Sequence, residues 1–223
     1  MAQILRPRLT VLPAAQRRLW SDLSTLPPSY VLYGGTAIAL HLGHRESIDF
    51  DFFIPHEIDP RRLLEDLAIL DGATVTQVEP ETLSVTIDRD GPIKLSFFGV
   101  PKLGRVREPL RAEGNGLAVA DLLDLSGTKA SVVQVRAEPK DYIDIGALLG
   151  AGVSLSEMLA AGMAIYGGSF TPQSALKALC YFDDPTLTSL PFALKSVLSE
   201  AVRGVDLSAL PDLRPFAARK DGV

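Results

Sequence analysis

Ser47-Ile-Asp-Phe-Asp-Phe-Phe-Ile54 restricts the fold more than any other stretch, because acidic and aromatic residues alternate through it. As a strand it places Ile48, Phe50 and Phe52 on one face and Asp49, Asp51 and Phe53 on the other. One face must be covered by a core, which fixes the register, since a slip of one residue would bury both acids. The approach to this strand is equally marked. Tyr30-Val-Leu-Tyr33 is a short β run ending at Gly34-Gly35, and Thr36 to Leu42 reads as a helix with Gly35 or Thr36 placed to cap it. The unit is strand, glycine turn, helix, strand.

Leu12, Leu19, Trp20, Leu23 and Leu26 recur at helical spacing and predict a helix over about Pro13–Leu26, stopped by Pro27-Pro28. Asp59-Pro60 starts another, carrying Leu63, Leu64, Leu67 and Leu70. Three β segments follow at about Thr74–Val78, Thr82–Asp88 and Pro92–Phe98, the last two joined by a hairpin at Asp90-Gly91. The chain then turns polar and Gly-rich through Arg111-Ala-Glu-Gly-Asn-Gly116. Beyond it the spacing is helical, at about Val119–Arg136, Pro139–Leu149, Leu155–Tyr166, Pro172–Phe182 and Pro191–Arg203. The expected fold class is α+β. Residues 1–110 form an α/β domain with a small mixed sheet, and residues 117–223 form a helical domain packed on it. The last residues of the tail from Asp206 to Val223 are expected to be frayed.

With 223 residues, 47% of them hydrophobic, the chain can bury a core without a metal or disulfide staple. Its net charge of -5 argues against a broadly basic surface for coating nucleic acid, and leaves room for a local basic patch. Cys180 is the one cysteine, so no internal disulfide forms; among Leu176, Leu179 and Phe182 it is expected to pack in the core. Arg6, Arg8, Arg17 and Arg18 interrupt the N-terminal segment, against a signal peptide, and no apolar run approaches a membrane span. A cytoplasmic protein with no membrane partner is expected.

Carboxylates at i and i+2 on a strand lie on one side, roughly 6–7 Å apart, within reach of a shared cation. Asp49 and Asp51 are therefore candidate ligands for Mg²⁺, a hard ion that commonly shares its sphere with substrate phosphates. Gly34 and Gly35 can turn sharply and present backbone N–H groups to phosphate oxygens, while the Thr36 hydroxyl adds a hydrogen bond or caps the helix. Lys129 and Arg136 are seven residues apart, hence on one helical face, and Lys140 and Asp144 form an i,i+4 pair. That block reads either as a solvated charged face or as a face turned toward phosphate.

Tyr33-Gly-Gly-Thr-Ala-Ile-Ala-Leu-His-Leu-Gly-His-Arg45-Glu-Ser47-Ile-Asp49-Phe-Asp51-Phe-Phe53 resembles the opening motif of the AbiEii/AbiGii-type nucleotidyltransferases. That family lies in the polymerase-β-like superfamily and includes toxins of bacterial toxin–antitoxin systems. Lys129-Ala-Ser-Val-Val-Gln-Val-Arg136-Ala-Glu-Pro-Lys140-Asp141-Tyr-Ile-Asp144 is similar to its later block. The resemblance covers about Tyr30 to Leu149. It implies a polymerase-β-like nucleotidyltransferase fold, with triphosphate contacts at Gly34, Gly35 and Thr36 and metal at Asp49 and Asp51. It also implies a phosphate contact at Lys129, with Arg136 as a second neutralising charge. Arg45 and Ser47 fall on the family's arginine and serine, and Arg45 either pairs with a carboxylate or reaches phosphate.

The implied activity is Mg²⁺- or Mn²⁺-dependent transfer of a nucleotidyl group from a nucleoside triphosphate to a hydroxyl of RNA, tRNA in particular, or of protein. An antitoxin-like protein partner is implied in the same way. Polymerase-β-like sites take a third carboxylate from a neighbouring strand, and Pro92–Phe98 offers only Lys94, Ser96 and Phe98 on the face away from the core. A catalytically silent nucleotide- or partner-binding protein is therefore the alternative, and a small-molecule nucleotidyltransferase a second one.

Overall fold

In a computed structural model, residues 3–215 are described. The chain divides into two compact units, residues 1–103 with 108–120 and residues 104–107 with 121–223.

The first unit holds one eight-stranded sheet: β1 (Ile4–Leu5), β2 (Val31–Tyr33), β3 (Asp49–Ile54), β4 (Thr74–Glu79), β5 (Thr82–Asp88), β6 (Pro92–Gly99), β7 (Leu110–Ala112) and β8 (Ala118–Val119). The order across the sheet is β1-β7-β8-β2-β3-β6-β5-β4. β3 runs antiparallel to β2 and parallel to β6, so the sheet is mixed. Period-2 patterning shows directly in burial. Phe50, Phe52 and Ile54 of β3, Leu83, Val85 and Ile87 of β5, and Ile93, Leu95 and Phe97 of β6 are all buried, with Phe52 stacked on Phe97 at 5.3 Å between ring centroids. Ile48 departs from the expectation: it precedes β3 and is 54% exposed, and Ile54 takes the third core position.

Three helices belong to this unit: α1 (Ala14–Leu19), α2 (Gly34–Leu42) and α3 (Pro60–Asp66). The first is shorter than expected, and Asp22–Thr25 continues it as a separate 3₁₀ turn. Asp59 caps α3 as expected, accepting from the Arg61 N–H at 2.9 Å, although the helix ends at Asp66 and Ala68–Leu70 form a 3₁₀ turn. At the β5–β6 hairpin, Asp90 and Gly91 both take positive φ. The Gly-rich stretch 111–116 closes the β7–β8 hairpin inside the first unit.

The second unit is helical: α4 (Leu122–Val132), α5 (Pro139–Gly150), α6 (Leu155–Tyr166), α7 (Pro172–Cys180) and α8 (Phe192–Arg203). α4 and α6 approach closely at Gly127, where a Cβ would stand 2.9 Å from Ala161. Ser154 and Glu157 close a reciprocal capping box on α6. Cys180 is exposed at the end of α7, not packed in the core, because Ala175 and Leu179 are the residues of that helix that turn inward. Among the described residues no single helix is long and apolar enough to cross a membrane. The expected fraying at the chain's end falls on residues 216–223, outside the described residues.

Candidate functional site

The antiparallel register pairs Tyr33 with Asp51, so the glycine turn at the end of β2 lies beside the second acid of β3. Gly34 has φ +73°, a conformation L side chains rarely adopt, and a Cβ there would stand 2.6 Å from Asp51 Oδ2. The carboxylate therefore rests against the glycine backbone, and the two motifs are one place. Asp49 and Asp51 are both half-buried, on the face opposite Phe50 and Phe52.

The helix α2 begins at Gly34 with Tyr33 as its N-cap, and no side chain caps it. Neither Gly35 nor Thr36 is the cap. Both lie inside the first turn, where the N–H groups of Gly34, Gly35 and Thr36 have no intrahelical acceptor. Thr36 is buried and its hydroxyl lies within hydrogen-bonding distance of the Asp49 carbonyl and, at 2.8 Å, of the Ser47 hydroxyl. A hydroxyl has one proton; Asp49 O can only accept it, so Ser47 donates to Thr36. These two hydroxyls pin the start of β3 to the first turn of α2, which leaves Thr36 its backbone N–H to offer a ligand. Ser47 is also held by its own N–H, which donates to Val11 O at 3.1 Å. Arg45, half-buried, donates from Nη1 to Glu46 O at 2.9 Å.

On β6 the residues in register with the two acids are Lys94, beside Asp49, and Ser96, beside Asp51. Ser96 is buried and lies 3.1 Å from Ser84 of β5. No third acid stands in this row, and among the described residues no group of three or more His, Cys, Asp or Glu could hold a metal. Two carboxylates do suit magnesium, or manganese, that completes its shell with substrate phosphates and water. They suit a tightly bound resident ion poorly.

In the second unit, Lys129 lies on the last turn of α4 and its Nζ sits 2.6 Å from Asp141 Oδ1 and 2.7 Å from Asp144 Oδ2, both acids being fully buried. Arg136 donates from Nε to Asp141 Oδ2 at 2.8 Å and from Nη2 to Oδ1 at 3.3 Å. The expected Lys140–Asp144 pair does not form. Lys140 reaches Glu138 at 2.9 Å, and Asp144 turns inward to Lys129. Asp141 and Asp144 thus join Lys129 and Arg136 in one cluster. The signal for it was in the spacing: acids three apart near the start of α5 share a face.

A further buried acid, Asp124, accepts the N–H groups of Val106 at 2.9 Å and Arg107 at 2.8 Å. Burial pushes its carboxyl up to about 6, against the lowering effect of those two bonds. Two aromatic and imidazole groups take local roles: Tyr33 is buried and stacked on Phe53 at 4.4 Å, and His41 Nε2 lies 2.9 Å from Ala120 O.

Comparison with known proteins agrees with this architecture. The chain is 30% identical over 122 residues to an uncharacterised protein of Aquifex aeolicus (strain VF5), a match covering 54% of this chain and 57% of that one. The matched region therefore spans little more than half of the relative's length. A nucleotidyltransferase toxin of Mycobacterium tuberculosis H37Rv, MenT4, shares the fold with a TM-score of 0.60 and 16% identity, covering 85% of this chain and 82% of that chain. The family described as nucleotidyl transferase AbiEii toxin, type IV toxin–antitoxin system, matches residues 18–204. With most of its length inside that match, the chain belongs to the AbiEii nucleotidyltransferase toxin family.

Proposed function

We propose that the protein transfers a nucleotidyl group from a nucleoside triphosphate to a hydroxyl of an RNA, tRNA in particular, or of a protein. The observation that carries this reading is the contact of the Asp51 carboxylate with the Gly34 backbone, which puts a carboxylate pair and a row of first-turn amides at one point. Amides of Gly34, Gly35 and Thr36 bind phosphate oxygens at the positive end of α2. Asp49 and Asp51 would hold a divalent cation that enters with the triphosphate, and such an ion would neutralise charge on the phosphates. The acceptor oxygen attacks the α-phosphorus, the bond to the β-phosphate bridging oxygen breaks, and pyrophosphate leaves while the hydroxyl proton passes to a carboxylate or to water.

Lys129 and Arg136 are assigned the outer phosphates on the strength of the family motif. Ser47 supports the strand start, and Arg45 is assigned a carboxylate or a phosphate on the strength of the family motif. An antitoxin partner follows from the type IV toxin–antitoxin family. A catalytically silent nucleotide-binding protein is the second reading, favoured by Lys94 and Ser96 standing where a third acid would lie.

Incorporation of label from α-³²P nucleotides into total cellular RNA and protein separates the two. Transfer by the parent that vanishes in Asp49→Ala supports the enzyme. Proven nucleotide binding with no transfer to any acceptor leaves the silent protein.

A further inference from the structure

We infer that the outward face of β6 seats the terminal nucleotide of a single-stranded RNA acceptor, with Phe98 against its base and Lys94 at its phosphate. The inference rests on the nucleotidyltransferase reading and chooses between the acceptors that reading leaves open. Register sets the two strands side by side: Lys94 beside Asp49, Ser96 beside Asp51 and Phe98 beside Phe53. Neighbours in register share a face, so all six side chains lie on the side of the sheet away from the buried Phe52 and Phe97. The strand that lacks a third acid thus carries a cation, a hydroxyl and an aromatic ring at alternate positions, directly beside the carboxylate pair.

Both ends of that column are open to a ligand. Lys94 is exposed, and among the described residues it has no ion-pair partner, although Asp49 is its neighbour in register. At the other end Phe53 and Phe98 are half-buried on the face of the acids, while Phe50, Phe52 and Phe97 are fully buried on the core face. Phe53 is stacked on the buried Tyr33 at 4.4 Å, and Phe98 meets Phe53 edge-on at 5.7 Å, with 77° between the planes. The rings are held in place by one another, so a base that stacks on Phe98 orders little more of the protein. The order along β6 is also the order within one nucleotide: phosphate at Lys94, sugar over the row of Asp51 and Ser96, base at Phe98. That brings a sugar hydroxyl to the carboxylates, where the acceptor oxygen has to be. Ser96 is buried and lies 3.1 Å from the Ser84 hydroxyl, so it gives the sugar room. A protein acceptor has no base for Phe98 and no backbone phosphate for Lys94.

The test is fluorescence anisotropy of the full chain with an end-labelled single-stranded RNA of mixed sequence, beside calorimetric titration with ATP and Mg²⁺. Phe98→Leu keeps an apolar side chain and loses the ring, so RNA should bind on the order of tenfold more weakly while ATP stays within about twofold. The same RNA ending in an abasic nucleotide should bind the parent and Phe98→Leu alike. Lys94→Gln should flatten the slope of log affinity against log salt by about 0.7, the share of one phosphate contact on a single strand. RNA affinity unchanged in both variants, or equal losses of RNA and ATP in Phe98→Leu, overturns the inference; if Phe98→Leu does not fold, the exposed Lys94→Gln decides by its salt slope. A parent that transfers label to protein and binds no RNA removes this seat and keeps the nucleotidyltransferase reading. A parent that binds RNA through these residues and transfers no label keeps the seat and removes that reading.

Discussion

Two pairs of aspartates, one on β3 and one on α5, have the same chemistry and opposite surroundings. Asp49 and Asp51 are half-buried, two apart on a strand, next to a glycine turn and with Lys94 and Ser96 in register beside them. Asp141 and Asp144 are fully buried, three apart on a helix, and hold the ammonium of Lys129 between them. The helix pair is neutralised by its own chain, so its acids are part of the fold. The strand pair is half-buried beside the first-turn amides of α2 and the left-handed Gly34, the place proposed above for a ligand.

Removing one acid from each pair should separate the roles most sharply. Asp144→Ala leaves Lys129 with half of its buried counter-charge and is expected to cost about 3–5 kcal/mol in chemical denaturation. The double variant Asp49→Ala, Asp51→Ala should cost less than that, since both acids are half-exposed on the strand face. Similar costs for both would break the distinction.

Asp124 is an intermediate case, buried as deeply as the helix pair but held by backbone amides. Its carboxyl is raised from 3.8 to about 6, so the folded protein retains a proton there that the unfolded chain has lost between those values. Its contribution to stability is therefore fully present below about pH 4, and is lost as pH rises through about 6, by on the order of 3 kcal/mol at most. Asp124→Asn should remove that part of the pH dependence, seen as a difference between variant and parent denaturation curves from pH 4 to 7. A difference that stays constant across the window would show that Asp124 does not titrate there.

The glycine turn itself gives a further test. Gly34→Ala must hold a side chain at φ +73° with its Cβ against Asp51 Oδ2, and should cost about 1–3 kcal/mol. Part of this should return in the Gly34→Ala, Asp51→Ala double variant, because the acid that meets the Cβ is gone. Strict additivity in thermal denaturation would mean that the two positions do not touch.

Much of the first unit was legible because its signals are local. The glycine turn, the alternation of β3, the Asp59 cap and the Asp90-Gly91 hairpin each depend on a few adjacent residues. The short strands β1, β7 and β8 were not legible, since two or three residues cannot display a period and β1 and β8 pair in parallel with segments far away in the chain. At the site, the place of Asp49 and Asp51 on one face could be read from alternation alone. The use of Thr36 and Ser47 to bind the strand to the helix could not, because it depends on the three-dimensional return of β3 beside α2. Lys140 and Asp144 show the same limit: helical spacing allowed their pairing, and the buried ammonium of Lys129 took the acid instead.

Binding of Mg²⁺ and a nucleoside triphosphate, measured by titration calorimetry on the parent and on Asp49→Ala, Asp51→Ala side by side, tests most directly whether the strand pair is the ligand site. The parent should bind the two together, and the folded double variant should lose at least an order of magnitude in affinity, as expected for removal of both carboxylate ligands. A double variant that binds the metal–nucleotide complex as tightly as the parent would contradict the assignment of Asp49 and Asp51.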